Sequence, residues 1–295
     1  MTVCIAAICQ QDKDNDEPRI VVGYDWKSET ELGGSETADK LRTLPKGWVA
    51  LMADSLSHCE ELVAQYETHL RTLGPVDDDR HLFEEMKKPA HKQKEVLAND
   101  YLRQMLGISY ADLVFPDKKY PEEIVTKRLE EVANIRLRAA LILAGFIETG
   151  QSNEERENNP YLFVVDDQSD HENVVQVGEN FAAIGTGSYV AIPVLHQREH
   201  DSEKSLIETV YSVYEAKRLS QVVPGVGEAT EIDILFPDGK LMTWTDSLWE
   251  RCEWLFDRLG PKLRISEKKA TDYFSFQNDY LEPFSEADKP KNTKL

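Results

Sequence analysis

The chain has 295 residues, enough for one large core or for one domain with an extension. With 41% hydrophobic and 30% charged residues it has a globular composition, which excludes wholesale disorder. A formal net charge of −20 repels phosphate backbones and anionic lipid, so nucleic acid and membrane are not expected partners.

The start, Val3 to Cys9, is an apolar run too short to span a bilayer and without a basic leader. It reads as a buried strand. Arg19 to Tyr24 reads as its antiparallel neighbour, across a polar, acidic tip from Gln10 to Pro18. Cys4 and Cys9 face opposite sides of such a strand, and with Cys59 and Cys252 they form no CxxC pair. A reducing, cytoplasmic compartment is expected, with neither cofactor nor metal. Lys40 to Leu44 and Trp48 to Ala53 predict two strands around the turn Pro45-Lys46-Gly47. Leu62, Val63, Tyr66 and Leu70 then stripe a helix capped by Ser55 or Ser57 and stopped by Gly74-Pro75.

Residues from 75 to about 120 read as two short helices, with Asp77-Asp78-Asp79 and Lys87-Lys88-Pro89 at the surface. Pro121 opens a helix in which Ile124 to Leu137 keep helical spacing, so a helix over about 125–140 is expected. Short strands follow at 140–147, 161–165, 174–177 and 181–184, then helices at 189–200 and 204–220. Thr230 to Phe236 and Lys240 to Trp244 flank Pro237-Asp238-Gly239 as a hairpin. An amphipathic helix near 248–259 and a polar tail close the chain. The order of elements predicts an α+β fold, two packed sheets covered by helix pairs in a four-layer αββα sandwich. The expected domain spans 1–245 with a helical insertion at about 75–120, and 246–295 is a C-terminal extension.

Loss of the initiator methionine would leave Thr2 with a free α-amine, so one residue would carry both a hydroxyl nucleophile and a base with a pKa near ~8. The strand that begins at once would hold it rigid. His196 and His200, four apart, lack an HExxH pattern and read as a solvated helix face. Gly185-Thr186-Gly187-Ser188 reads as a close strand-to-helix turn rather than a phosphate loop. Trp48, Trp244, Trp249 and Trp254 read as core or interface.

Three segments resemble the proteasome β-subunits and their bacterial relatives, N-terminal-nucleophile (Ntn) hydrolases. Thr2 opens a strand, and the next ends in Val21-Val22-Gly23-Tyr24-Asp25-Trp26-Lys27. Ala38-Asp39-Lys40-Leu41 is followed by Val49-Ala50-Leu51-Met52-Ala53-Asp54-Ser55 and a helix. Leu143-Ala144-Gly145-Phe146, Tyr161 to Asp166 and Ala183 to Ser188 complete the pattern, over residues 2–74 and 125–245. The resemblance implies a threonine-type hydrolase of peptide or amide bonds, with Thr2 as nucleophile, Lys40 tuning its proton exchange and Asp25 orienting Lys40. It implies a backbone oxyanion donor near Asp54, and Thr186 in place of a motif serine. It also implies peptide or protein substrates, self-association into a ring or stacked assembly, and an ATPase partner whose identity is unknown. Three departures stand against this. Asp54 replaces a glycine, Thr186 a serine, and Val223-Pro224-Gly225-Val226 lies where an Asp-x-x-Ser segment is expected. The alternatives are a catalytically impaired scaffold or assembly protein, and a small-molecule amidase of the same class.

Overall fold

The computed structural model describes residues 2–12, 15–25, 28–30, 33–35, 39–114, 121–149, 157–167, 173–243 and 246–260. Met1, Trp26, Lys27, Ala38, Trp244 and the polar tail beyond residue 260 lie outside the described residues. Two units are distinguished, Met1–Cys252 and Glu253–Leu295. The second contributes only the end of one helix to the described residues, with Trp254 half exposed.

In chain order, β1 (Cys4–Asp12) and β2 (Asn15–Asp25) form a hairpin, and β3 (Ser28–Thr30) and β4 (Gly33–Ser35) a smaller one. β5 (Leu41–Leu44) and β6 (Trp48–Asp54) lead into α1 (Leu56–Thr72), α2 (Asp79–Leu106), α3 (Tyr110–Val114) and α4 (Glu122–Ala133). Then come β7 (Ala139–Thr149), β8 (Glu157–Val165), β9 (Val174–Gln176), β10 (Phe181–Ile184), α5 (Ser188–Gln197) and α6 (Leu206–Ser220). β11 (Thr230–Leu235), β12 (Leu241–Thr243) and α7 (Asp246–Leu259) complete the described chain. The fold is α+β: the order β10-β1-β2-β11-β12 makes one five-stranded antiparallel sheet and β5-β6-β7-β8-β9 a second.

Alternation along the strands divides the core. In β6, Trp48, Ala50 and Met52 join Leu141, Leu143 and Phe163 against Leu62, Tyr66 and Leu70 of α1 and Leu82 and Met86 of α2. The intervening Val49 and Leu51, with Ile142 and Ala144, face Cys4, Ala6, Ile20 and Val22 of the first sheet. Both faces of β6 are therefore apolar, which is why its sequence lacks polar alternation. Each fully buried leucine or phenylalanine here contributes roughly 1.5–3 kcal/mol. α6 lies on β1 and β2, so closely that a Cβ on Gly23 would sit 2.6 Å from Val213 Cγ1.

Four expectations need correction. Instead of two short helices after residue 75, α2 runs unbroken for 28 residues before the short α3. Asp78 caps α2, its side chain accepting from the His81 N–H at 2.7 Å, and Gly107 ends it in the left-handed region at φ 70°. Pro89 is buried inside α2 rather than at the surface. Tyr66 Oη donates to the Met86 carbonyl (2.9 Å), in the turn whose ladder the proline disturbs. Next, α4 ends at Ala133, not near 140; Leu137 lies beyond it, buried in the core against α1 and α2. A single buried residue, Leu137, in an otherwise largely exposed connection imitated helical spacing. Lastly, His200 lies past the end of α5 and is buried. Its Nε2 meets the Ile8 carbonyl at 3.0 Å, so only the exposed His196 fits a solvated face.

Candidate active site

The antiparallel register of β1 and β2 opposes Cys4 to Tyr24, which brings the next residue of β2, Asp25, beside Val3 and Thr2. The backbones meet through the Asp25 N–H on the Val3 carbonyl (3.3 Å), and the Val3 N–H donates to Asp25 Oδ1 (3.2 Å). Lys40 arrives from the other sheet. It immediately precedes β5, and its carbonyl accepts from the Met52 N–H of β6 (2.8 Å). Its Nζ lies 2.7 Å from Asp25 Oδ1. Between them sits the Thr2 hydroxyl, donating to Asp25 Oδ1 and accepting from Lys40 Nζ.

Thr2, Asp25 and Lys40 are 4%, 0% and 5% exposed, so neither charge has water as a ready partner and each is satisfied by the other. The second Asp25 oxygen accepts from the Gly227 N–H at 2.7 Å, giving this carboxylate four donors. Such saturation fixes the orientation of the carboxylate.

The turn between β10 and α5 holds the other side of Thr2. Gly187 N–H donates to the Thr2 carbonyl (3.0 Å), and Gly185, at φ 84°, packs so tightly that a Cβ would lie 2.5 Å from that oxygen. The Gly-Thr-Gly-Ser sequence is thus the close-packing turn read from sequence. Thr186 at its tip is exposed. Asp54 ends β6 in the left-handed region at φ 72°, a conformation that glycine adopts without strain and aspartate tolerates. Its carboxyl is pushed above the usual range by burial and by the nearby Asp166. Among the described residues no hydrogen bond joins Asp54 or Thr186 to Thr2, Asp25 or Lys40.

Sequence reading missed the contribution of α6. Val210, Val213, Lys217 and Ser220 share one buried stripe of that helix, and Lys217 and Ser220 are 0% exposed. The Ser220 hydroxyl donates to the Gly187 carbonyl (3.1 Å). Lys217 Nζ donates to the carbonyls of Gly227 (2.7 Å) and Glu228 (2.8 Å). Burial lowers its pKa to about 7, against the pull of Asp25. A polar pair at positions three apart on an otherwise apolar stripe was the available signal.

Cys4 adjoins the same cluster, its thiol donating to the Met52 carbonyl at 3.3 Å. Burial pushes it up to about 12, so it is a neutral thiol and a poor nucleophile at physiological pH. All four cysteines are free and buried. Among the described residues no three His, Cys, Asp or Glu side chains are grouped to hold a metal, and no helix is long and apolar enough to cross a membrane. No protein-family model matches the chain, and no curated protein matches it significantly.

Proposed function

We propose that this chain is a threonine-type Ntn hydrolase that cleaves peptide or amide bonds through an acyl-Thr2 intermediate. The observation that carries the reading is the placement of the Thr2 hydroxyl between Lys40 Nζ and Asp25 Oδ1 at the start of a buried strand. Two sheets packed face to face, with α1 and α2 on one and α6 on the other, support the finer four-layer αββα reading.

Once Met1 has been removed, the neutral Thr2 α-amine takes the hydroxyl proton, directly or through one water, as Oγ1 attacks the scissile carbonyl. The Lys40 ammonium stabilises negative charge developing on Oγ1, and Asp25 keeps Lys40 aimed at it. The tetrahedral oxyanion is met by backbone N–H groups near Asp54. Collapse breaks the C–N bond, and the departing amine takes the proton held by the Thr2 amine. Water, deprotonated by the same amine, then attacks the ester, releasing the acid and regenerating the Thr2 hydroxyl.

Intact mass before and after treatment with a threonine-selective epoxyketone tests this, because that warhead needs both the hydroxyl and the free amine of one threonine. The expected result is loss of Met1 and a single adduct, absent in Thr2→Ala. Retained Met1, or no adduct across varied warhead side chains, would overturn it. That outcome favours the second reading, a scaffold without chemistry, whose own support is the Asp54 carboxylate at the position proposed for the oxyanion donor. Self-association into a ring belongs to the same proposal. α4, which buries none of its residues within this chain, offers surface for it. Sedimentation showing only monomer at micromolar concentration removes that part.

A further inference from the structure

We propose that Lys217 is a positioning residue for the Thr2 centre, acting through the backbone of Gly227 to hold Asp25. The inference rests on the hydrolase reading for its consequence but not for its geometry.

The Gly227 residue is gripped from two directions. Its N–H donates to Asp25 Oδ2 (2.7 Å), and its carbonyl accepts from Lys217 Nζ (2.7 Å). Lys217 Nζ also binds the next carbonyl, Glu228 (2.8 Å), which has a second donor in Gln221 Nε2 (2.8 Å). The Gly227 carbonyl therefore depends on Lys217 most. A buried ammonium is costly, and among the described residues this one is hydrogen-bonded to carbonyl oxygens and to no carboxylate. A core position on α6 needs only an apolar side chain, so packing does not explain a lysine here. Fixing a segment that follows the helix and reaches the nucleophile's carboxylate does explain it. Asp25 Oδ2 has Gly227 as its donor, while Oδ1 serves Thr2, Val3 and Lys40. Release of Gly227 would let the carboxylate turn away from the geometry that orients Lys40.

Lys217 also makes the hold pH-dependent. The groups that bear on it are Asp25 of β2, which favours its charge, Lys40 beside β5 and Arg218 of α6, which oppose it, and Glu228, which favours it. With burial dominant, the ammonium titrates near pH 7, and a neutral amine is a weaker donor to carbonyls.

Two measurements on the full chain test the proposal. The first is hydrogen exchange of the Gly227 amide, which is independent of catalysis. Lys217→Met is expected to lower its protection about tenfold, the loss of one charge-assisted bond. The wild-type protection factor should also fall as pH rises through about 7, a step absent from the variant. The second is the rate of Thr2 modification by the epoxyketone. Its saturating value should fall about tenfold in Lys217→Met while the half-saturating concentration moves less than about threefold. Lys217→Gln keeps an N–H donor without the titration, so it should retain part of the protection and lack the pH step. Unchanged Gly227 protection in Lys217→Met, or a pH step that persists in Lys217→Gln, overturns the clamp. Lost protection with an unchanged modification rate overturns the link to Thr2. A wild-type protein that loses Met1 yet never reacts refutes the hydrolase reading, while exchange still decides the role of Lys217.

Discussion

Asp25→Asn is the substitution that asks most of this site, although it changes the shape of one side chain hardly at all. The carboxylate has four donors, three on Oδ1 and the Gly227 N–H on Oδ2. An asparagine has one acceptor oxygen. If that oxygen serves Lys40, Thr2 and Val3, the amide NH2 points at the Gly227 N–H; if it is flipped, the NH2 points at the Lys40 ammonium. Either orientation sets donor against donor and leaves Lys40, 5% exposed, without its counter-charge. Breaking a buried ion pair by removing one partner costs about 3–5 kcal/mol. An unsatisfied buried donor adds about 1–3 kcal/mol, so an overall loss of about 4–8 kcal/mol is expected, a large share of a domain's stability. The assay is urea unfolding at pH 7 followed by far-UV circular dichroism, and in thermal unfolding the melting temperature should fall by roughly 8–30 °C. Adding Lys40→Met to Asp25→Asn should restore about 2 kcal/mol, because it removes the stranded ammonium. A single-variant loss below about 1 kcal/mol, or a double variant that is simply the sum, would show that the pair is not buried and coupled as described.

Gly185→Ala forces a Cβ to within 2.5 Å of the Thr2 carbonyl at a φ of 84°, so thermal unfolding should show a loss of about 2 kcal/mol or more; less than half of that refutes the tight turn. Asp54→Gly removes a left-handed non-glycine residue and its carboxylate. Folding raises this carboxyl, so its penalty is absent below its unfolded pKa and grows as pH rises through the folded value. Epoxyketone modification should therefore gain more from Asp54→Gly at pH 7 than at pH 4, and an equal gain at both would dismiss the charge as the obstacle. Burial lowers the pKa of His200 and of His69, so stability is fully present above the unfolded value near ~6.5 and is lost as pH falls below it. His200→Gln should flatten the stability profile of urea unfolding between about pH 6.5 and 5; an unaltered slope assigns that loss to other groups.

Much of this architecture is legible in the residues because short strands bounded by turns announce themselves. Val3 to Cys9 pairs with Arg19 to Tyr24 as expected, and Pro237-Asp238-Gly239 turns a hairpin between β11 and β12. The grouping of Thr2, Asp25 and Lys40 was expected only through the family resemblance; strand register accounts for Asp25 beside Thr2, whereas Lys40 reaches them through packing of the second sheet on the first. What escaped depends on tertiary packing. The proline in α2 argued for a break, yet Leu82, Met86 and Ala90 bury against α1 and carry the helix through it. Leu137 kept a helical period by chance of the core's shape. Lys217 lies in the helix expected at 204–220; its place on an apolar stripe hints at burial, but no one-dimensional pattern names the two carbonyls it binds ten and eleven residues later.

The Thr2 centre takes members from both sheets: Thr2 and Asp25 belong to the first, Lys40 enters from the second, and 2.7 Å separates Asp25 from Lys40 across that seam. The centre therefore acts as a gauge of the distance between the sheets, and that distance is set by side chains such as Ala6, Val22, Leu51 and Ala144. One added methylene at such a seam position would widen the gap between Asp25 and Lys40 even though it touches none of the three residues. Interior volume and the Asp25–Lys40 spacing are thus a single adjustable quantity in this chain, and a library confined to the sheet–sheet seam would vary the setting of the Thr2 hydroxyl without altering any residue of its centre.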